Sequence, residues 1–265
     1  MKRAYQIEWI KFGFRILVLV AVVILAFTGA VEWSGNNSVL EGMNFFRHFS
    51  VLHILWLLYA WYMLEKLLPL KSGKPRGSRK YLKAEFSPTK EYTGWLAEGA
   101  PTTEESSFWQ KYREEQKNYG KGAILVLGAW LFGVLLIVSI RLLQKQQILD
   151  YQIFGNRELL ILSVLFYVGD LVCILIWCPF RDIFMKNRCC TQCRVYNWDT
   201  MMLIVPLLFI KGFYSYSLLA GAVLVVGLWE WNHCFHRERF YPTTNACLQC
   251  GNCQGELGCK RLRNR

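Results

Sequence analysis

Cysteine is the residue type in this sequence with the clearest chemical potential. The 265-residue chain contains ten cysteines, and nine of them fall within two stretches, 178–193 and 234–259. Thiolates bind soft metal ions and take part in redox reactions, and the cytosol keeps thiols reduced. If both stretches face the cytosol, the clustering favours metal binding or redox chemistry over a disulfide framework. The cysteines are residues 173, 178, 189, 190, 193, 234, 247, 250, 253 and 259.

The first stretch contains the closely spaced group Cys189-Cys190-Thr-Gln-Cys193. Arg188 and Arg194 flank the group, and cationic neighbours lower the pKa of a thiol and so favour the thiolate. We therefore expect these three cysteines to be metal ligands.

The second stretch contains Cys247-Leu-Gln-Cys250-Gly-Asn-Cys253, and Cys259 follows after five further residues. Two-residue spacers allow consecutive thiolates to converge on one centre, and the glycine supplies backbone freedom for that curl. These four cysteines form the second set of predicted metal ligands.

The tail run Cys247-x2-Cys250-Gly-x-Cys253 resembles the first three ligands of a bacterial ferredoxin-type [4Fe–4S] motif, C-x2-C-x2-C-x3-C-P. It departs from that motif because Cys259 follows after five residues rather than three, and Lys260 stands in place of proline. The resemblance covers about thirteen residues. It implies an iron–sulfur cofactor, whose fourth ligand is Cys259 or a cysteine of the 189–193 loop, and electron exchange with quinone or a partner redox protein.

Zinc is the alternative metal, because many structural zinc sites hold four thiolates in a tetrahedron. Cys190-x2-Cys193 together with Cys250-x2-Cys253 would form such a site and join the loop to the tail. Juxtamembrane cysteines can also stay free or carry palmitoyl chains without binding a metal.

Further side chains close to these groups could add ligands. Cys178 precedes the loop, and Glu230-x2-His233-Cys234-x-His236 precedes the tail. The competing interpretation treats these polar residues as caps of a helix end.

Asp170 interrupts an apolar stretch, and an acidic residue inside a membrane is by default a functional candidate, here a possible metal ligand. A structural interpretation instead pairs it with Ser163 of the same helix or with Ser139. Cys173, in the same stretch, is interpreted as a small apolar residue.

Long apolar blocks predict that the elements carrying these cysteines are membrane-spanning helices. The chain is 54% hydrophobic, and charge-free blocks such as 16–31 and 122–140 approach the roughly 20 residues that cross a hydrocarbon core. The predicted fold is all-α, a polytopic membrane helix bundle of about six transmembrane helices with a small Cys-rich cytoplasmic cap. The predicted spans are 14–33, 49–68, 121–142, 158–180, 198–210 and 213–232.

Three further predictions concern the segments around the spans. The stretch 198–210 is short and contains Pro206, so a re-entrant hairpin is the alternative to a span. Gly212 after it predicts a helix end, because glycine readily adopts the left-handed C-cap conformation. A polar helix is predicted over 107–119, and its aromatic residues are expected to anchor at the membrane interface: Phe108, Trp109, Tyr112 and Tyr119.

Counts of Lys and Arg predict the orientation of the bundle. The N-terminal tail through Arg15 contains four basic residues, the loop 34–48 one, the segment 66–121 twelve, the loop 144–157 two, the loop 181–197 four and the tail after Trp231 six. This alternation places the protein in the plasma membrane with both termini in the cytoplasm, and it puts nine of the ten thiols on the reducing side. The net charge of +12 reflects this bias and attraction to the lipid bilayer. No recognisable module indicates nucleic-acid binding.

A second resemblance rests on Cys178-Pro-Phe-Arg, on the run from Asn187 through the cysteine loop to Val195-Tyr-Asn-Trp-Asp199, and on Arg239-Phe with the cysteine tail. These residues resemble an uncharacterised family of small multi-pass bacterial membrane proteins, over roughly the last hundred residues. The resemblance implies a shared Cys-rich module and no particular activity.

Together these patterns predict four regions: a transmembrane hairpin (1–68), a basic cytoplasmic segment with an interfacial helix (69–120), a four-helix region with its Cys-rich loop at 178–193 (121–232) and a Cys-rich cytoplasmic tail (233–265). We expect an integral membrane metal-binding protein, either an iron–sulfur electron-transfer protein or an accessory to a membrane redox system. The alternatives are a zinc-stapled scaffold or assembly factor and a soft-metal transporter or thiol relay. No catalytic motif is present, so enzymatic activity is left open.

Overall fold

The computed structural model of the chain describes residues 2–68, 77–102, 106–147, 154–185, 187 and 189–249. This part of the chain is helical and contains no β-strand, which confirms the predicted all-α class. Its seven α-helices are α1 (Lys2–Phe27), α2 (Val51–Leu67), α3 (Lys90–Ala97), α4 (Ser107–Lys145), α5 (Asn156–Leu175), α6 (Asp199–Ile204) and α7 (Phe213–Phe235).

Local capping explains where three of the helices begin. Ser50 precedes α2, and its side chain accepts a hydrogen bond from the backbone N–H of Leu52. In return, Nδ1 of His53 accepts the N–H of Ser50 at 3.0 Å, which completes a capping box. Thr89 caps α3 and Ser106 caps α4 through their hydroxyl groups.

Four helices in the described part are long and apolar enough to cross a membrane. They coincide with the predicted first, third, fourth and sixth spans, and they support the membrane assignment. Their candidate spanning stretches are Gln6–Phe27, Ser107–Lys145, Asn156–Leu175 and Phe213–Phe235.

The other two predicted spans are shorter in the structure. The second is the 17-residue helix α2. The fifth divides into the six-residue helix α6 and a 3-10 turn, Val205–Phe209. The division falls at Pro206, whose missing N–H and bulky ring interrupt an α-helix. The count of six spans therefore stays a prediction.

Helix α4 joins two elements that the sequence pattern had separated. The polar helix predicted at 107–119 and the span predicted at 121–142 form one continuous helix of 39 residues. Its length is about 58 Å, so its polar first half extends beyond a hydrocarbon core of about 30 Å. The predicted interfacial anchoring of its aromatic residues is wrong for Tyr112 and Tyr119, which are buried against Tyr241.

The main core lies between α2, α5, α6 and α7, and α1 packs along α5. Tyr59, Leu160, Leu203 and Tyr214 contribute one almost wholly buried side chain from each of the four core helices. A second cluster, here called the aromatic cluster, joins the end of α7 to the polar segments. It consists of Tyr81, Tyr112, Tyr119, Trp229, Phe240 and Tyr241.

The loop between α1 and α2 packs against the start of α7 at the opposite end of the bundle. The N–H of Gly42 donates to the carbonyl of Lys211 at 2.9 Å, and the N–H of Phe213 donates back to Gly42 at 3.0 Å. The predicted helix boundary at Gly212 is confirmed, but its backbone is extended, with a φ of −174°, rather than left-handed. Glycine is needed there for another reason, because a Cβ atom would collide with the carbonyl of Leu40.

Candidate thiol site

Three cysteine thiols meet where α5 ends. The helix stops at Leu175, and the chain then turns through Cys178 into a short π-helix. Cys173, in the last turns of α5, and Cys190, in the following loop, line the same cavity as Cys178, and the thiol of Cys190 donates to the carbonyl of Cys173 at 3.7 Å. Cys178 also accepts the backbone N–H of Arg181 at 3.4 Å. Cys173 is therefore part of a thiol cluster, and its interpretation as a small apolar residue is wrong.

These thiols line a partly enclosed cavity of about 170 Å³, here called the thiol cavity. Aromatic side chains and Met202 form much of its remaining wall. The volume leaves room for an ion and a few water molecules. The residues that supply sulfur or carboxylate groups to it are Asp170, Cys173, Cys178, Cys190, Cys193 and Asp199.

The carboxylate of Asp170 is held by a cation from a different helix. Nη1 of Arg15, on α1, lies 3.1 Å from Oδ2 of Asp170. The Arg15 guanidinium also lies over the ring of Tyr167, 4.0 Å from its centroid. The predicted partners Ser163 and Ser139 are wrong: Ser163 donates to the carbonyl of Leu203 at 2.8 Å instead.

A second ion pair supports the other carboxylate of the cavity. Nζ of Lys66, in the last turn of α2, lies 2.5 Å from Oδ2 of Asp199 at the start of α6. The hydroxyl of Tyr62 donates to the same carboxylate, and the Tyr62 ring also faces Arg15 at 5.0 Å. Both acids beside the thiols are thus neutralised by buried cations, which limits the cost of burying them.

Hydrogen bonding and burial shift the pKa values of the thiols in opposite directions. Hydrogen bonds from Cys173 and Cys190 hold the pKa of Cys178 well below its ordinary value, because they stabilise the thiolate. The hydrogen bond to Cys178, together with burial, raises the pKa of Cys190. Burial raises the pKa of Cys193 to about 12. Cys178 is therefore the thiol of this group that ionises most readily.

Lys80 reaches the same loop from the basic segment that follows α2. Its ammonium is buried and donates to the carbonyl oxygens of Cys193 at 2.9 Å and Thr191 at 3.3 Å. It also lies 5.3 Å from the ring centroid of Trp229. Burial lowers the pKa of Lys80 to about 7, and the nearby Cys193 thiol counteracts part of that effect.

The cations near the loop thiols differ from those predicted. Arg194 turns away into an ion pair with Glu230, 2.8 Å between Nη1 and Oε1. Glu230 also accepts the indole N–H of Trp198 at 2.6 Å. Arg188 lies outside the described residues. The positive charges that act on the thiols are those of Lys80 and Arg181.

Cys189 is buried, and its thiol contacts the hydroxyl of Thr191 at 2.7 Å. It does not line the thiol cavity. Cys193 does, and its thiol also contacts the sulfur of Met185 at 3.8 Å. Of the three predicted ligands in the loop, Cys190 and Cys193 therefore face the thiol cavity, whereas Cys189 does not.

The start of the tail lies against the cysteine loop. Nε2 of Gln192 donates to the carbonyl of Leu248 at 3.1 Å, and the neighbouring Cys247 is half-buried. The backbone N–H of Ala246 donates to Ser87 at 2.7 Å, which fixes the tail to the basic segment. Three predicted ligands lie outside the described residues: Cys250, Cys253 and Cys259.

The predicted additional metal ligands at the end of α7 lie away from the thiol cavity. Nε2 of His233 contacts the hydroxyl of Tyr241 at 3.0 Å, and Nδ1 of His236 contacts Glu238 at 3.2 Å. Cys234 is exposed on α7. None of the three lines the thiol cavity, and the two histidines act as polar residues at the end of α7.

Sequence reasoning missed the basic residues of the site. Arg15 and Lys66 carry a weak signal, since each is a cation at the edge of an apolar block. Lys80 carries no such signal within its basic segment.

Across the described residues, no three His, Cys, Asp or Glu side chains form a group that could hold a metal ion. A preformed tetrahedral site is therefore not built from this part of the chain alone. No protein-family model matches the chain, and no curated protein or solved structure is significantly similar to it.

Proposed function

We propose that this chain is an integral membrane protein that binds a soft metal ion through cysteine thiolates and relays it between the tail and the thiol cavity. The observation that carries the proposal is that Cys173, Cys178 and Cys190 line this one cavity, with the Cys190 thiol 3.7 Å from the carbonyl oxygen of Cys173. Thiolate and thioether ligands select soft ions such as Cu(I).

The donor geometry favours an ion of low coordination number. A monovalent soft ion can be held by two thiolates, and Cys178 and Cys190 line the same cavity. Metal binding would displace the thiol protons, because ligating thiols must be deprotonated.

The charge around the loop supports the same proposal. One monovalent ion with two thiolates has a net charge of −1, and a buried charge needs a counter-ion. Asp170 and Asp199 already have cationic partners, whereas among the described residues the Lys80 ammonium contacts carbonyl groups and aromatic rings. Lys80 lies beside Cys193, which lines the same cavity as Cys178 and Cys190, and is therefore a cation that can help to balance a metal–thiolate complex there.

The tail would be the exchange partner of the cavity. Gln192 lies between Cys190 and Cys193, and its bond to Leu248 brings the loop to the start of the tail motif. A metal ion held by Cys247, Cys250, Cys253 or Cys259 could then pass to the loop by ligand exchange between thiolates.

An iron–sulfur electron-transfer protein, or an accessory to a membrane redox system, is the second candidate. The same contact between Gln192 and Leu248 favours it, because Cys189 would lie near the tail motif as a fourth ligand. Quinone or a partner redox protein would exchange electrons with the cluster. A zinc staple is less favoured, because Cys190 and Cys193 line the thiol cavity with Cys178, and Cys193 contacts the sulfur of Met185.

Six membrane crossings remain part of the proposal. Two contacts support them: Lys66 at the end of α2 meets Asp199, and Arg141 near the end of α4 donates to the carbonyl of Phe209 at 3.2 Å. The segment from Asp199 to Phe209 therefore runs from the end of α2 towards the end of α4. Its irregular backbone is buried among other helices, where a membrane protein tolerates it. Both termini would then face the cytoplasm.

Metal content after anaerobic purification in detergent tests these candidates. We expect the natural protein to bind Cu(I), or the redox-stable probe Ag(I), and C178S and C190S to bind about one equivalent less. The matched control is C234S, because Cys234 is exposed and away from the cavity. Bound iron and sulfide, with a broad brown absorbance, would contradict the metal relay and support the iron–sulfur protein instead. Stoichiometric zinc, or Ag(I) binding unaffected by C178S and C190S, would also overturn the relay.

A further inference from the structure

A large polar cavity lies at the end of the bundle opposite the thiols. Its volume is about 1190 Å³, and it opens between the last turns of α4 and the first turn of α5. The loop after α1 and residues 208–211 complete its wall. Proposed metal binding does not involve this cavity.

One wall of the cavity is apolar and continues towards the lipid. Val138, Leu142 and Leu208 line it. Nearby on α4, Leu135 is 63% exposed and Leu131 is 45% exposed, so the second half of this helix is poorly covered by protein. In a bilayer, an open crevice beside such a helix is filled by acyl chains, because water is excluded from the hydrocarbon core.

The rim of the cavity has an excess of positive charge. Of its two carboxylates, Glu41 accepts hydrogen bonds from Gly35 and Asn156, and Glu158 lies 2.6 Å from Arg157. Three cations remain without an acidic partner among the described residues: Arg141, Lys145 and Lys211.

Two donors of the rim are suited to an anion. Arg141 uses one guanidinium nitrogen for the carbonyl of Phe209, which leaves the rest of its donor fork for another acceptor. The indole N–H of Trp33 is buried and has no hydrogen-bond partner in this part of the chain. Both residues line the cavity. An unpaired buried donor is costly, so an acceptor in the cavity would stabilise it.

We infer that this cavity binds an anionic amphiphile, a lipid whose phosphate group contacts Arg141 and Lys211 and whose acyl chain lies along the apolar wall of α4. Basic pockets between transmembrane helices recognise lipid head groups in this way. The inference is independent of the proposed metal relay.

Thermal unfolding in detergent tests the inference with three added probes: phosphatidylglycerol, phosphatidylcholine and inorganic phosphate. We expect phosphatidylglycerol alone to raise the Tm of the natural protein. The double variant R141Q/K211Q should lose this shift, while K83Q/K117Q, which removes the same charge from exposed positions, should keep it. K211Q alone should weaken binding by about fivefold, the effect of one basic residue near a lipid surface. Lys211 is exposed, so this variant does not disturb packing.

Three results would overturn the inference. Equal stabilisation by phosphatidylcholine would show that charge plays no part. If phosphatidylglycerol raised the Tm of K211Q and R141Q/K211Q as much as that of the natural protein, Arg141 and Lys211 would not be the residues that bind the lipid. An equal shift with inorganic phosphate would show that the cavity binds a free anion rather than an amphiphile.

Discussion

The ammonium of Lys80 lies 2.9 Å from the carbonyl oxygen of Cys193, and no carboxylate of the described residues pairs with it. A lysine buried without an acid is unfavourable unless a negative charge arises beside it. The neighbouring thiols can supply that charge when they ionise or bind a metal ion.

Replacing Lys80 by methionine should therefore weaken metal binding at the loop. Methionine keeps the length of the side chain and removes its charge, so we expect the Ag(I) affinity to fall about tenfold or more. Competition titration with a chromophoric chelator would measure the change. K83M is the control, since Lys83 is exposed in the same segment. Equal affinity of K80M and the natural protein would contradict this role for Lys80.

The pH dependence of stability should also change in K80M. Burial lowers the pKa of Lys80 to about 7 in the folded, metal-free protein, whereas the unfolded chain retains the ordinary pKa near 10.4. From pH 7 to about 8.5, the unfolded state then holds more protons, and the free energy of unfolding rises by at most ~1.4 kcal/mol per pH unit. Below pH 7 both states are protonated and the dependence disappears.

Unfolding of both proteins at several pH values in this window would measure the difference between them. Effects of other titrating groups cancel in the difference, and the window ends where thiols of the unfolded chain begin to ionise. Identical pH profiles for the natural protein and K80M would show that Lys80 does not titrate there.

The ion pair between Arg15 and Asp170 should be essential for holding α1 against α5. Removing one partner leaves a buried charge alone, so R15M and D170N should each destabilise the protein by about 3 kcal/mol. The double variant should lose less than the sum of the two, because neither charge is then stranded. Thermal unfolding of the four proteins checks this coupling. The less buried pair of Lys11 with Glu8, at 3.0 Å, is the control and should show little coupling. Additive losses in R15M/D170N would contradict the prediction.

Gln192 should control the attachment of the tail to the cysteine loop. In Q192A the bond to the carbonyl of Leu248 is lost, and we expect faster hydrogen exchange at residues 246–249. Q249A is a matched control, because Gln249 donates within the tail to Pro242 at 3.1 Å and does not reach the loop. If exchange at 246–249 is unchanged in Q192A, the proposed route from tail to loop loses its support.

The orientation of the bundle can be tested with a single exposed thiol. Cys234 lies on the surface near the end of α7, so a variant that retains only this cysteine should react with a membrane-impermeant maleimide in inverted vesicles and not in intact cells. A cysteine introduced at Asn36, which is exposed in the loop after α1, should show the opposite pattern. Labelling of Cys234 in intact cells would reverse the proposed topology.

Much of the fold follows from local sequence properties. The four long apolar helices were predictable because a span depends on the hydropathy of consecutive residues. The spacing of Cys189, Cys190 and Cys193 likewise identified a chemically capable loop. Continuity of α4 through Tyr119 was not predictable, because a change from polar to apolar composition marks the membrane boundary and leaves the helix intact.

The cysteine spacing and the hydropathy of the sequence by themselves determined that thiols cluster at the end of membrane helices. Only the tertiary structure decided which groups surround them. Cys173 lines one cavity with Cys178 because the chain turns after α5, and Asp170 is neutralised by Arg15 from 155 positions earlier in the chain. Lys80 approaches Cys193 across 113 positions. Hydropathy and spacing act between near neighbours, whereas the pairing of buried charges depends on helices that meet only in the folded bundle.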